Sequence, residues 1–400
     1  MARDRSFVHY WSWRITRPFF RLWFRLKFRM SFPPVPELPD HFLMIGNHVT
    51  NADPFIAVST LPCHTYFVGT EHLMRLGFRS RLIRFLQDPI PLAKGGNTSS
   101  AVLEILRRLK AGRTVTLFAE GNCTWDGRNI DIPAATGKMV RTSKAPLVTC
   151  RIIGGYFARP RWGYSSRKGP LRLEIVGIYQ PEELAAMKPA EINRLIQNDI
   201  REDAYERQLA DPQRYPGKKL SLGLQHALLV CPKCHRFGSL SSTDDGFSCE
   251  CGLKGRYDEY GMLSGEGFDF TTIRGWEDWQ RAYFAALPDP QEAEEVISTS
   301  DDDMVLYLVA GHKVEEAARG TFTGDARGLA VGGMNFPFSD MADLAVRLHG
   351  IITFSMKDGS YYELKKADKS DYSGRKYKYL FDRFGHAAQH APAPKTESER

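Results

Sequence analysis

Three groups of residues carry side chains that could do chemistry. His48 and Asp53 stand five positions apart in Asn47-His48-Val49-Thr50-Asn51-Ala52-Asp53-Pro54. Five positions span about 140° of a helical wheel, so the two side chains cannot share a helical face. They meet if the chain turns between them, and Asn51 and the Asp53-Pro54 step favour such a turn. A carboxylate that holds one imidazole nitrogen leaves the other to take a proton from a substrate hydroxyl. This is the base-and-orienter half of a serine-protease triad, with the nucleophile brought by the substrate. The second group is Ala119-Glu120-Gly121-Asn122, a carboxylate beside a glycine turn. The third is Cys231-Pro232-Lys233-Cys234 with Cys249-Glu250-Cys251. Two cysteine knuckles can set four thiolates around one tetrahedral Zn²⁺. The second pair has one intervening residue where two are usual, which leaves His235 as an alternative ligand. Four protein ligands leave no open position for water or substrate, so the expected role is structural.

Each group needs an element to hold it. After the Pro-rich break Phe32-Pro33-Pro34-Val35-Pro36, the apolar run Phe42-Leu43-Met44-Ile45-Gly46 reads as a buried strand that delivers His48 at its C-terminal end. Residues 114–118 form a second such run, with Glu120-Gly121 after it, and residues 146–153 form a third. Between the first two, residues 89–96 read as a strand end entering a glycine turn. A helix over 98–110 follows, with Val102, Ile105, Leu106 and Leu109 on one face. Strands alternating with helices, and polar residues at strand C-termini, describe an α/β sheet with its active site along one edge. Helices over 181–208 close this domain, and Asp211-Pro212 to Pro216-Gly217 reads as a linker. Beyond the cysteines come a helix over 268–287, six short strands between 304 and 364, and a last helix over 372–384. That order describes a small β-rich domain of pleckstrin-homology type. Residues from 386 onward read as a disordered tail.

Bulk properties narrow the class. With 42% hydrophobic and 25% charged residues in 400, the chain is an ordinary folded protein, neither disordered nor wholly membrane-embedded. The net charge of +7 is localised: residues 1–30 hold eight bases against Asp4, and the other 370 residues carry 46 bases and 46 acids. One end is therefore built to meet an anionic surface, and the balance after residue 30 argues against nucleic acid as a partner. Trp11, Trp13, Phe19, Phe20, Trp23, Phe24 and Phe28 interleave with the N-terminal arginines. Arg17, Arg21, Arg25 and Arg29 share one helical stripe, and Phe19, Trp23, Leu26 and Met30 gather opposite. No apolar run approaches the roughly 18 residues that span a bilayer. The pattern predicts a helix lying in the membrane interface, arginines among anionic lipid phosphates, with Pro18 in the first turn of a helix that starts near Arg17. Seven cysteines without a signal-peptide pattern point to a reducing compartment, and hence to the cytoplasmic face of the membrane.

A family resemblance rests on these residues. Asn47-His48 with Asp53 resembles the His-x4-Asp motif of the glycerolipid acyltransferases, the 1-acylglycerol-3-phosphate acyltransferase family. Phe118-Ala119-Glu120-Gly121 resembles that family's Phe-Pro-Glu-Gly motif, and Ala145-Pro146 its proline-centred fourth motif. Gly154-Gly155-Tyr156, Pro160-Arg161-Trp162 and Arg167-Lys168-Gly169 resemble a bacterial subgroup, and the likeness covers residues 31–210. It implies transfer of a fatty acyl group from acyl-CoA or acyl carrier protein to a lysophospholipid hydroxyl, with no redox cofactor. His48 would be the general base and Asp53 its orienter; Asn47, Lys94, Glu120, Gly121 and Pro146 would contact substrate. Two positions depart from the pattern. Cys123 stands where the family has an arginine that pairs with the acceptor phosphate, and Lys94 stands for the arginine of the second motif. Arginine grips phosphate bidentately, lysine only as a point charge, and cysteine does neither. Arg128, Arg141 and Arg151 are the candidate replacements. Acceptors lacking phosphate, and an inactive adaptor that docks on membranes, are the alternatives. The cysteine quartet resembles a zinc ribbon. The expected architecture is thus a glycerolipid-acyltransferase-like α/β sheet flanked by helices, a zinc ribbon, and a small β-rich C-terminal domain. Its divisions are an interfacial helix (1–30), an acyltransferase domain (31–220), the ribbon (221–265), the β-rich domain (266–385) and a tail.

Overall fold

A computed structural model describes residues 6–70, 78–92, 99–287, 297–311, 313–368 and 372–385. Lys94 and the expected tail lie outside the described residues. The chain divides into two compact units. The first comprises Met1–Leu222, Thr243–Gly246 and Arg256–Ser264; the second comprises Gly223–Ser242, Phe247–Gly255 and Gly265–Arg400. The stretch expected as a separate ribbon is therefore shared between them.

In order, the first unit holds α1 (Ser6–Phe28), β1 (Leu43–Gly46), α2 (Asp53–Thr60), β2 (Tyr66–Thr70), α3 (Phe78–Leu86) and β3 (Ile90–Leu92). Next come α4 (Ser99–Lys110), β4 (Val115–Leu117), α5 (Ala135–Ser143), β5 (Leu147–Ile153) and α6 (Gly155–Ala158). β6 (Arg172–Tyr179), α7 (Pro181–Ala186), α8 (Pro189–Asp199) and α9 (Ala204–Ala210) complete it. The sheet order is β3-β2-β4-β1-β5-β6. All neighbours are parallel except β6, which runs antiparallel to β5. Leu43 is in register with both Val115 and Leu147, so β1, β4 and β5 start together. Every residue of β1 is buried, as expected of a parallel strand covered on both faces. Leu43, Ile45, Val115 and Leu147 pack against Ile105 and Leu109 of α4, Val140 of α5, and Ile192 and Ile196 of α8.

The N-terminal helix begins at Ser6, well before Arg17, and Pro18 lies inside it. Tertiary anchors explain the earlier start. Trp13 Nε1 donates to the Val58 carbonyl at 3.1 Å, and His9 Nδ1 lies 3.0 Å from the Tyr66 hydroxyl. Arg17 and Arg21 do not point away from the protein. Both donate to the Ser59 carbonyl at 3.3 Å, and Arg17 also to Thr60 at 3.2 Å, supplying cations to the C-terminal end of α2. What α1 leaves exposed is an apolar stripe: Phe7, Trp11, Ile15, Phe19, Leu22 and Leu26. Met30, expected on that face, is buried.

Gly154 links β5 to α6 with φ of +80°, and a Cβ there would stand 1.9 Å from the Pro170 carbonyl oxygen. Only glycine fits that turn, so the chain after β5 can fold back over the end of the sheet. Trp162, fully buried, packs edge-on against Tyr257 at 5.2 Å, and Arg167 lies over both rings at 5.0 and 4.8 Å.

The second unit contains β7 (Leu240–Ser242) and β8 (Phe247–Cys249), an antiparallel pair in which Leu240 faces Cys249. β9 (Lys254–Tyr257) begins in the second unit and ends in the first, β10 (Leu263–Glu266) begins in the first and ends in the second, and α10 (Ile273–Ala285) follows. Then come β11 (Thr299–Ala310), β12 (Lys313–Gly324), β13 (Gly328–Val331), β14 (Met334–Pro337), β15 (Met341–Arg347), β16 (Ile351–Met356) and β17 (Tyr361–Lys366). These seven strands form one antiparallel sheet of order β14-β13-β12-β11-β17-β16-β15, two meanders joined through their first and last strands. A helix, Arg375–Leu380, follows. The buried Glu277 carboxylate of α10 accepts from Arg375 at 2.6 Å, Arg281 at 2.7 Å and the Tyr379 hydroxyl at 2.6 Å. Burial opposes its charge, but the two arginines outweigh it and hold the carboxyl below its ordinary range.

Candidate active site and cysteine cluster

At the end of β1 the ladder gives way to side chains. Asn47 is fully buried; its amide donates to the Ile152 carbonyl at 3.0 Å and its carbonyl accepts the Ile152 N–H at 2.6 Å. The residue ties the loop to β5 as one more strand pair would. Asp53 opens α2, also fully buried. Its Oδ2 accepts from Val49 N–H at 2.7 Å, Thr50 N–H at 3.0 Å and His48 Nδ1 at 2.8 Å, and its Oδ1 accepts from the Thr50 hydroxyl at 2.7 Å. Nδ1 therefore carries a proton, and Nε2 is the nitrogen left to exchange one. The His48 side chain keeps 18% of its surface exposed against none for Asp53, so the ring reaches the site while its partner does not. Phe118 stacks on the imidazole at 5.1 Å.

Glu120 closes the loop from the other side. Its Oε1 accepts the His48 N–H at 3.0 Å and the Asn129 amide at 2.7 Å, and its Oε2 accepts the Ile130 N–H at 2.7 Å. The His48 carbonyl in turn accepts the Thr124 N–H at 3.2 Å. Gly121 turns at φ of +70° with open space where a side chain would go. Cys123 is buried with its sulfur 3.5 Å from His48 Nε2, 3.7 Å from Nδ1 and 3.8 Å from Asn51 Oδ1. Burial alone would depress the imidazolium. The Cys123 sulfur and the Asp53 carboxylate outweigh it and hold His48 up at about 10.

The other expected contact residues scatter. Arg128 pairs with Asp126, Nε donating to Oδ2 at 2.9 Å, within the turn after Cys123. Arg141 donates to the Ala185 carbonyl and Arg151 to that of Asp199. Pro146 precedes β5 and its carbonyl accepts the Leu43 N–H at 2.9 Å, which places it at the opposite end of the parallel strands from His48. Sequence reasoning missed Arg161 as a site residue. Its Nη1 donates to the Cys123 carbonyl at 2.8 Å, and its guanidinium lies 4.1 Å over the Trp125 ring. Thirty-eight residues separate Arg161 from Cys123 and no spacing rule joins them; the only signal was an arginine between Pro160 and Trp162.

In the second unit the sulfurs of Cys231, Cys234, Cys249 and Cys251 lie within 4.8 Å of one another. Cys231 and Cys251 sulfurs are 3.5 Å apart, Cys234 and Cys249 3.7 Å. Each knuckle closes on a left-handed residue: His235 (φ 58°) bonds back to the Cys231 carbonyl, and Gly252 (φ 90°) to that of Cys249. The His235 ring is directed elsewhere, against Trp279 and Tyr283 at 6.1 and 5.4 Å.

Residues 35–153 match the sequence profile of the Acyltransferase family. The chain carries an acyltransferase domain. The match contains His48, Asp53, Glu120 and Cys123 and ends at the last residue of β5. No curated protein sequence matches the chain. Among solved structures, the chain is similar to the 1-acyl-sn-glycerophosphate (LPA) acyltransferase PlsC from Thermotoga maritima, at 18% identity and a TM-score of 0.42, over 54% of this chain and 86% of that one. It is also similar to the N-terminal PH domain of human ARAP2, at 7% identity and a TM-score of 0.17, over 25% of this chain and 90% of that one.

Within the acyltransferase domain, burial pushes the Glu120 carboxyl up to about 7 in spite of its three N–H donors. A raised acid favours the folded state below the unfolded value of 4.5, and that contribution is lost as pH rises to about 7. The melting temperature is therefore expected to fall across this window. Glu120→Gln should melt lower throughout, because its amide N–H meets the Ile130 N–H, and should lose most of the slope. A slope unchanged in the variant would show that Glu120 does not titrate there.

Proposed function

We propose that the protein moves a fatty acyl group from a thioester donor, acyl-CoA or acyl carrier protein, to the hydroxyl of a lysophosphatidate-type acceptor, with His48 as general base. The observation that carries this reading is the 2.8 Å contact between His48 Nδ1 and the buried Asp53 carboxylate, which leaves Nε2 for the reacting proton. In the step that makes the ester, Nε2 takes the hydroxyl proton as the oxygen attacks the donor carbonyl. The carbon–sulfur bond breaks, and the thiol leaves with that proton. Asp53 steadies the imidazolium between the two transfers. Arg161 is the proposed phosphate contact in place of the family's arginine, because its guanidinium lies on the backbone of the residue that replaces it.

With labelled acyl-CoA and a panel of acceptors, His48→Ala is expected to lose about 10²–10⁴-fold in turnover. Arg161→Ala should raise KM for lysophosphatidate by about 10–100-fold, the worth of a charge-assisted contact, and cost less with monoacylglycerol, which has no phosphate. Equal turnover by wild type and His48→Ala would remove His48 as base, and equal losses with both acceptors would remove Arg161 from the phosphate.

The site of action is proposed to be the cytoplasmic face of a membrane, held through α1. No described helix is long and apolar enough to cross a bilayer. The exposed stripe of Phe7, Trp11, Ile15, Phe19, Leu22 and Leu26 on a basic helix has the form of an interfacial anchor. Replacing Trp11, Phe19, Leu22 and Leu26 by serine should abolish sedimentation with phosphatidylglycerol vesicles at an unchanged melting temperature. Undiminished sedimentation would refute the anchor.

The four cysteines are proposed to hold a structural Zn²⁺. Tetrahedral thiolates at about 2.3 Å from zinc stand about 3.8 Å apart, close to the observed 3.5 and 3.7 Å. Metal analysis should return one zinc per chain, and chelation should lower the melting temperature. A metal-free chain with the same melting temperature would exclude the site.

A further inference from the structure

Three cysteines lie in the first unit outside the metal cluster, and their surroundings differ. Cys150 is fully buried in β5, its sulfur 2.6 Å from where a Cβ on Gly46 would stand, and burial pushes its thiol up. Burial raises Cys63 likewise. Such thiols are inert. Cys123 instead lies against the catalytic imidazole, 3.5 Å from Nε2. Its own backbone is pinned on both sides: the carbonyl accepts Arg161 at 2.8 Å, and the next N–H donates to the His48 carbonyl at 3.2 Å. The sulfur, 3.5 Å from Nε2 and 3.7 Å from Nδ1, lies against the face of the imidazole whose Nδ1 the carboxylate holds at 2.8 Å, so thiol, imidazole and carboxylate form one cluster.

We infer that Cys123 is a nucleophile that receives the acyl group as a thioester before the acceptor hydroxyl does. The inference rests on the acyl-transfer reading above and replaces its single displacement by two. In the first step the Cys123 thiolate attacks the carbonyl carbon of the donor thioester. The bond to the donor sulfur breaks, and that sulfur leaves as a thiol with the proton of Nε2. In the second, neutral His48 takes the proton of the acceptor hydroxyl, the oxygen attacks the Cys123 thioester, and the carbon–sulfur bond breaks to restore thiolate and imidazolium. One thioester and one hydroxyl give one ester and one thiol, and no electrons change hands. Exchange of one thioester for another is close to balanced in energy, so the intermediate stores the activation of the donor.

The geometry also accounts for the protonation of His48. Beside the free sulfur the ring is held high, as an imidazolium, which would be a poor base at neutral pH. Acylation removes the contribution of the free sulfur and leaves burial opposed by Asp53 alone, which moves the ring toward the neutral base that the second step needs.

The test uses the full chain with palmitoyl-CoA labelled in the acyl group, quenched in acid within the first turnover without acceptor. Labelling near one acyl group per chain is expected, released by neutral hydroxylamine and mapped to the peptide carrying Cys123. The label should be absent from Cys123→Ala and kept in Cys63→Ala, and lysophosphatidate should discharge it to product as fast as steady turnover. Cys123→Ala should lose about 10²-fold or more in transfer. Product formation without label, with Cys123→Ala within about twofold of wild type, would overturn the thioester and leave direct transfer standing. A label that acceptor does not discharge would be adventitious acylation and would also overturn it. Absence of both label and product would overturn the acyl-transfer reading itself. Peptide mapping of the wild type keeps the result independent of how the variants fold.

Discussion

The loop that carries His48 depends on one buried carboxylate. A carboxylate removed from water is costly unless its lone pairs are filled, and every donor that fills those of Asp53 comes from residues 48–50. The loop must therefore take the one path that brings two N–H groups, a hydroxyl and an imidazole to a single side chain. Holding His48 and folding the loop are the same act. The backbone of His48 is claimed from the other side, its N–H by Glu120 and its carbonyl by Thr124. Two segments seventy residues apart in sequence are locked around one ring.

Much of this was legible in sequence, and the misses have physical causes. The buried strands β1, β4 and β5 show as apolar runs because both faces of a parallel sheet are covered. The pairing of His48 with Asp53 could be read from a spacing that rules out a helix and a composition that favours a turn. β2 and β6 escaped, since Tyr66–Thr70 is short and Arg172–Tyr179 mixes charges into its pattern. The helix start was placed too late because Pro18 was weighed locally, whereas Trp13 and His9 dock onto residues about fifty positions away. Asn47 looked like a substrate contact, but both ends of its amide are used on Ile152. Pro146 was tied to the site by its motif; yet a residue before a parallel strand lies at the end away from those strands' C-termini, and strand polarity alone could have excluded contact with His48. Arg161 was beyond reach because its claim on the site is purely spatial.

The two sides of α1 are used differently. Its arginines do not all face outward; Arg17 and Arg21 cap the end of α2, and Arg21 lies 4.1 Å from the Phe32 ring. That frees the opposite side for large apolar groups with nothing of the first unit over them.

The path of the chain between residues 222 and 265 bears on how such a protein is inherited. Arg256–Ser264 belongs to the first unit, where Tyr257 packs on Trp162, the Glu259 carbonyl accepts the Tyr215 N–H at 2.7 Å, and the Tyr260 carbonyl accepts the Gln208 amide at 3.0 Å. A gene cut at the linker after residue 217 would encode an acyltransferase domain with a hole in its core. The segment bearing Cys249 and Cys251 is enclosed, in sequence, by stretches of the first unit. Recombination can add to this chain at its ends but cannot lift out either half, so the two units must be lost, duplicated and diverge as a single unit of heredity.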